Sequence, residues 1–490
     1  MQRLRNISWN LIAAVWLALL TVVSTPVFVA KLGLKLYGII GIWLIFQAVM
    51  NLFDFGLGAS LNRELSLLKS ESNKSRMIGD TLKTIEIIYW LISLSCIILF
   101  IIITFIFGKY WINWESYGNI EITQVFLFMF FSLFFQFPNI LYINGFIGLQ
   151  KHKIAAILQI GGNTIKFGVA IFVVILTSNL VLFFLAQILI SFIQTFTARL
   201  LLWKSISTKI SERPIFKITV LKKIKNFTSQ MALTSFLAVL IANLDRILVL
   251  KMLPTEDFGR YTLAITATGF LQLAIQPFYR SFFPKFSELY GNKEISNLEN
   301  EYFIGNKLLS FSLIALSCIF FFFANDVLII WLNKVDINLV NTFRLLILGM
   351  LLSGLGWLPA AFQQAIGWPN LHVNMMILAL IIGIPITIIL INFFGVLGAT
   401  FIWFIHGITD ITLGIYIMHK RVLKGRLKKW YLEVIVEPFL YFVPIVGISV
   451  YIKPVGMNNL NTFFWLLGTS FLVLIVWSIQ IKKILRKTVQ

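Results

Sequence analysis

Fourteen long apolar stretches run through this 490-residue chain, separated by short connections that are alternately basic and nearly free of basic charge. A helix crossing hydrocarbon needs about 20 mostly apolar residues, because no water is there to pair its backbone groups. Stretches of that length lie near residues 8–30, 38–60, 84–107, 122–145, 154–176, 180–203 and 229–251. The series continues at 260–283, 306–324, 339–362, 371–391, 396–418, 434–452 and 462–481. The pattern predicts an all-α polytopic membrane protein with about 14 transmembrane helices.

Charge orients the chain. Of the 41 Lys and Arg residues, 31 fall in or beside one set of alternating connections and 7 in the other. The positive-inside rule then places both termini in the cytoplasm and the protein in the cytoplasmic membrane. The formal charge of +21 sits beside anionic headgroups, spread over many loops, and does not form one nucleic-acid-binding face. The expected partners are membrane lipids, with no nucleic acid.

The connections exclude most chemistry. The longest outward ones, 108–121 and 325–338, are too short to fold as domains that could carry catalytic acids. There is no phosphate-binding G-x-x-x-x-G-K-[ST] loop, no H-E-x-x-H, no C-x-x-C and no G-x-S-x-G. The two cysteines, Cys96 and Cys318, both fall inside expected spans, and the four histidines are scattered. Neither enzyme, metal centre nor cofactor is implied. Movement of a solute across the membrane is the default reading.

The chain is also doubled. KLGLKLYGIIGIWLIF from Lys31 and KMLPTEDFGRYTLAIT from Lys251 each lead into the second span of a group of six. Allowing one inserted residue, Lys31 matches Lys251, Tyr37 matches Phe258 and Gly38 matches Gly259. Leu94-Ser95-Cys96 and Leu316-Ser317-Cys318 echo each other at nearly the same offset, about 220 residues. Six being even, both groups start on the same side, which predicts two six-helix lobes related by a parallel pseudo-repeat plus two C-terminal helices. The expected boundaries are a first lobe over 1–203, a basic linker over 204–228, a second lobe over 229–418, and a basic loop with helices 13 and 14 over 419–490.

Three segments, LGLKLYG (32–38), LFDFGLGASLNREL (52–65) and NLDRILVLKMLPTEDFGRY (243–261), give the chain a family resemblance. It resembles the polysaccharide flippases of the multidrug/oligosaccharidyl-lipid/polysaccharide exporter superfamily, of which O-antigen flippases are the familiar members. The resemblance covers about residues 5–420, and the last two spans fit its fourteen-span members. It implies a polyprenyl-diphosphate-linked oligosaccharide as substrate, built inside and turned to the outer leaflet, with a polysaccharide polymerase and glycosyltransferases as candidate partners.

Ionisable residues within spans cost roughly 2.5–3.5 kcal/mol near the bilayer centre on insertion scales, so each is a functional candidate. Lys166, mid-span in GGNTIKFG, is too deep to snorkel easily; a cation there suits a diphosphate in transit, the alternative being a structural ion pair. The glycines around it are expected to let backbones pack closely. Asp245 and Arg246 match the family's Asp-Arg pair but point about 100 degrees apart on a helix. One can hold the lobe while the other faces substrate. Arg344 joins the translocation candidates, although it lies close enough to the outer interface to snorkel.

His406 and Asp410 form an i, i+4 pair that suits either ion coupling or an interhelical hydrogen bond. Asp54 with Gly56 and Gly58 matches the family's Asp-x-Gly-x-Gly pattern, which implies a hinge or cap. Gly38 and Gly259 mark the repeated connection.

These features point to a flippase working by alternating access. The rival is an ion-coupled multidrug or small-molecule exporter of the same superfamily, which should hold a carboxylate and not a lysine at its centre. A scaffold for glycan enzymes is the non-transporting alternative.

Overall fold

The computed structural model describes residues 2–69, 75–111, 122–207 and 214–486. The described chain is helical, and eleven of its helices are long and apolar enough to cross a membrane. It divides into two compact units, Met1–Gly259 and Arg260–Gln490.

The first unit holds α1 (Gln2–Leu52), α2 (Leu57–Lys69), α3 (Ser75–Trp111), α4 (Ile122–Gly148), α5 (His152–Thr177), α6 (Leu180–Ser207) and α7 (Ile218–Met252). It also takes the first turn of α8 (Thr255–Gly291). Within it α4 packs on α6, α5 on α1, and α2 and α3 on α4, while α7 lies against α1, α2 and α3. The unit therefore extends past residue 203, the expected end of the first lobe. Part of the reason lies in the linker. Asp80 Oδ1 accepts from the N–H of Ile215 at 2.9 Å, its Oδ2 pairs with Lys217 Nζ at 2.5 Å, and Thr84 Oγ1 accepts from the N–H of Lys217 at 2.9 Å. Residues 208–213 of that linker lie outside the described ones.

The second unit continues with α9 (Ile295–Phe322), α10 (Ala324–Leu332), α11 (Ile337–Leu355), α12 (Trp357–Ala365) and α13 (Pro369–Phe394). It closes with α14 (Val396–Ala399), α15 (Phe401–Thr409), α16 (Ile415–Arg421), α17 (Leu427–Trp430), α18 (Glu437–Tyr451) and α19 (Asn459–Arg486). Here α11 packs on α9 and α15, α13 on α15, and α18 and α19 on α9. Two π-helical segments, Asp410–Gly414 and Tyr431–Val436, interrupt the α-helical ladder.

Helix α5 shows which solvent the chain is built for. Its buried face carries Ala155, Ala156, Lys166, Ala170 and Val174. Ile165, Phe172 and Leu176 point outward, each more than half exposed. Small residues inside and large apolar ones outside suit lipid, where close backbone approach drives association and apolar surface needs no hiding.

The first two expected spans both fall on α1, which is broken at Gly33 (φ 75°, ψ 166°). The second, expected as continuous over 38–60, stops at Leu52 and resumes as α2 after the turn 53–56. Phe55 and Gly56 take left-handed φ values of 48° and 76° there, which a helix cannot continue through. Leu52, Phe53 and Phe55 keep the sequence apolar across the break, so composition conceals it.

Candidate functional site

In the first unit, Lys166 is 8% exposed and turns its ammonium inward from α5. Nζ donates to Gln136 Oε1 on α4 at 2.7 Å and lies 5.1 Å from the centroid of the Trp43 ring on α1. Trp43 is itself held edge-on against Phe183 and Phe184 of α6. Gln187 on α6 reaches the carbonyl of Lys166 through Nε2 at 3.5 Å. No carboxylate among the described residues pairs with Lys166. Trp43 Nε1 and Gln187 Oε1 are buried with no hydrogen-bond partner among those residues. The corner thus presents a cation, an indole donor and an amide acceptor whose polar capacity is not used up. An anion with further polar groups is the chemistry it complements.

The glycines around Lys166 do less than expected. Only Gly162 makes a close approach, to the side chain of Gln194, whereas Gly161 and Gly168 have nothing within 4 Å of a Cβ position.

Arg246 lies on α7 with its Nη1 3.4 Å from Asn243 Oδ1, a long contact, and its Nε buried without a described partner. Asp245 is fully buried, and its Oδ1 accepts the backbone N–H of Arg246 at 2.8 Å. The neighbouring side chains diverge, as helix geometry requires. No described contact joins Arg246 to Lys166.

The second unit brings together His406 and Asp410, both 8% exposed, with Nε2 and Oδ2 3.7 Å apart. Ser353 Oγ on α11 lies 2.9 Å from His406 Nδ1. Asp410 opens the first π-helical segment, and Gly356 approaches so closely that a Cβ there would stand 3.0 Å from Asp410 Oδ2. The acid thus opens a π-helical turn with an imidazole one turn before it on the α-helix, a pair of groups that can each bind and release a proton. Arg344, half-buried on α11, donates from Nε to the carbonyl of Phe321 at 3.3 Å.

Asp54 sits in the turn between α1 and α2, where Oδ1 accepts from the N–H of Gly58 at 3.1 Å and from the Tyr89 hydroxyl. Gly56 supplies the positive φ, and Gly58 leaves room for Asn144 and Tyr89, 2.7 and 3.0 Å from where a Cβ would be. The repeat-matched glycines meet inside the first unit. A Cβ on Gly259 would stand 1.9 Å from the Leu34 carbonyl oxygen and 3.5 Å from Gly38 N.

Sequence reasoning missed one centre. Glu86, 2% exposed on α3, accepts at Oε1 from Arg199 Nε (2.7 Å), Tyr142 Oη (2.8 Å) and Trp203 Nε1 (3.2 Å). Lys83 Nζ stands 3.8 Å from its other oxygen. The available signal was a carboxylate just inside an apolar span, the criterion that singled out Lys166.

The profile of the polysaccharide biosynthesis protein family matches residues 3–290. A putative O-antigen transporter of Shigella flexneri is 23% identical over 423 residues, covering 84% of this chain and 97% of that protein. Among solved structures, the lipid II flippase MurJ in an inward closed conformation superposes with a TM-score of 0.67 at 16% identity, covering 99% of this chain and all of MurJ. An inward-facing multidrug resistance transporter of the MATE family gives 0.66 at 15% identity, covering 84% of this chain and 96% of that one. The likeness to solved structures shows the fold, which is that of the lipid II flippase MurJ and the MATE-family transporter, and the match to more than half the sequence shows the family: this chain belongs to the polysaccharide biosynthesis protein family.

Proposed function

We propose that this protein moves a polyprenyl-diphosphate-linked oligosaccharide, a repeat unit of O-antigen or another surface polysaccharide, from the inner to the outer leaflet of the cytoplasmic membrane by alternating access. The observation that carries this reading is Lys166, an ammonium buried among apolar helices whose partners among the described residues, Gln136 and Trp43, are neutral. A permanent structural charge at that depth would be expected to have a counter-ion, since burying an unpaired charge is costly. A charge reserved for a diphosphate is complete only when substrate is present. Arg246, with its unused buried Nε, is the second cation in this scheme, and Arg344 supplies a third nearer the helix end. The polyprenyl tail stays in lipid. His406 and Asp410 serve as the ion-coupling pair.

The central cation argues against the rival exporter of amphipathic cations, which it would repel. The relatives' names support the same choice, since they describe an O-antigen transporter and a lipid II flippase.

The test follows lipid-linked oligosaccharide in cells lacking the protein, scoring its leaflet by access to an external glycosidase. Rescue is attempted with the wild type, Lys166→Ala and Asp410→Asn. Glycan that stays protected without the protein and with Lys166→Ala supports the flippase and its central cation. Glycan that reaches the outer face regardless overturns the reading. Dissipating the proton and sodium gradients in turn should slow the wild type and leave the residual activity of Asp410→Asn unchanged; equal sensitivity would remove the coupling role.

A further inference from the structure

At one end of the second unit, the connection between α18 and α19 folds over α10 and encloses an open cavity of about 360 Å³. Its wall holds one acid and one base, Asp326 in the first turn of α10 and Lys453 just past α18, with Oδ1 and Nζ 2.7 Å apart. Both side chains are about one-fifth exposed, and neither has a further polar partner among the described residues. A carboxylate accepts through two oxygens and an ammonium donates three hydrogens, so each keeps unused capacity toward the cavity. Ile329, Ile330 and Val450 complete an apolar wall. Val455 at the rim of the cavity and Tyr451 beside it are almost wholly exposed, as residues that project into lipid would be.

We propose that this cavity binds the headgroup of a zwitterionic phospholipid carrying a primary ammonium, with the phosphate on Lys453 and the ammonium on Asp326. Charge complementarity selects this occupant. A lone anion drawn to Lys453 would meet Asp326, and a lone cation drawn to Asp326 would meet Lys453. A headgroup bearing both charges sets each opposite its complement and leaves the cavity neutral. The position fits as well, because the helices end here and the apolar wall can receive the first acyl methylenes. The site shares no residue with the Lys166 corner or with the His406 and Asp410 pair, and its test does not depend on flipping.

The full-length protein in detergent micelles is titrated with phosphatidylethanolamine, phosphatidylcholine and phosphatidylglycerol, and retained lipid is counted by native mass spectrometry. Phosphatidylethanolamine should be retained about tenfold better than phosphatidylglycerol, with phosphatidylcholine between them, because its quaternary ammonium donates no hydrogen bond. Asp326→Asn should erase the preference, and Lys453→Gln should lower retention of all three lipids. Ile330→Trp, which fills the cavity and leaves both charges in place, should do the same and serves if a charge variant fails to fold. Equal retention of the three lipids by the wild type, or a preference that survives Ile330→Trp, would overturn the proposal and leave Asp326 and Lys453 as a clamp between α10 and the end of α18.

Discussion

Two buried charges in the first unit are treated in opposite ways. Glu86 has a guanidinium, a phenol and an indole converging on one oxygen from two other helices, with a lysine near its second oxygen. Lys166 has one neutral amide and the face of one ring. Both residues are less than one-tenth exposed, so depth alone does not explain the contrast. A charge that holds helices together is surrounded by its complements before any substrate arrives. A charge kept for a ligand is held in position by neutral groups and stays electrostatically incomplete. Under the proposed function, the difference separates a structural charge from a transporting one among charges that composition makes look alike.

The contrast breaks most sharply under deletion. Glu86→Ala strands Arg199 and leaves the Tyr142 hydroxyl and Trp203 indole without their acceptor. Removing one partner of a buried pair costs about 3–5 kcal/mol, and the lower end applies because Arg199 is one-third exposed. Thermal unfolding of the purified protein should show a clear drop in Tm, and transport should fall only with the amount of folded protein. A variant as stable as the wild type would show that the Glu86 cluster is not a structural clamp.

Lys166→Met should do the reverse. Replacing an unpaired buried charge by an apolar side chain of similar length is expected to be neutral or stabilising, by about 1–2 kcal/mol. Tm should hold or rise while leaflet transfer is lost. A large fall in Tm would mean that Lys166 carries structure after all, and the distinction from Glu86 would collapse.

Sequence alone revealed these two residues unequally, for a physical reason. Lys166 stands out because nothing charged lies near it in the chain. Glu86 lies within three residues of the expected start of its span, in a stretch that also reads as headgroup region, and its partners are 56, 113 and 117 positions away. Periodicity and composition carry no information about such distant meetings. The helical membrane fold was legible because hydrocarbon imposes its length requirement on every span separately. The break at residues 53–56 was less so, since apolar residues run through it and only the Asp-x-Gly-x-Gly pattern marked it. The boundary of the first unit at Gly259 depends on which side of α7 finds partners, and an apolar helix does not declare that in its sequence.

The smallest effect gives the finest test, because it asks whether Gln136 exists for Lys166. Gln136→Leu removes the one oxygen that Nζ reaches among the described residues and leaves the ammonium with the Trp43 face. A net cost of about 1.5 kcal/mol is expected, the low end for a hydrogen bond with one charged partner, because Gln136 itself is only part-buried. In a Lys166→Met background the same substitution should cost almost nothing, since the amide no longer has a cation to serve. The difference between the two costs is the coupling energy of the pair, and chemical unfolding of the four proteins measures it. A coupling near zero would mean that Gln136 supports the helix bundle and not the lysine. Lys166 would then owe its position to Trp43 alone, and the Trp43 indole, held by Phe183 and Phe184, would become the residue whose replacement releases the charge.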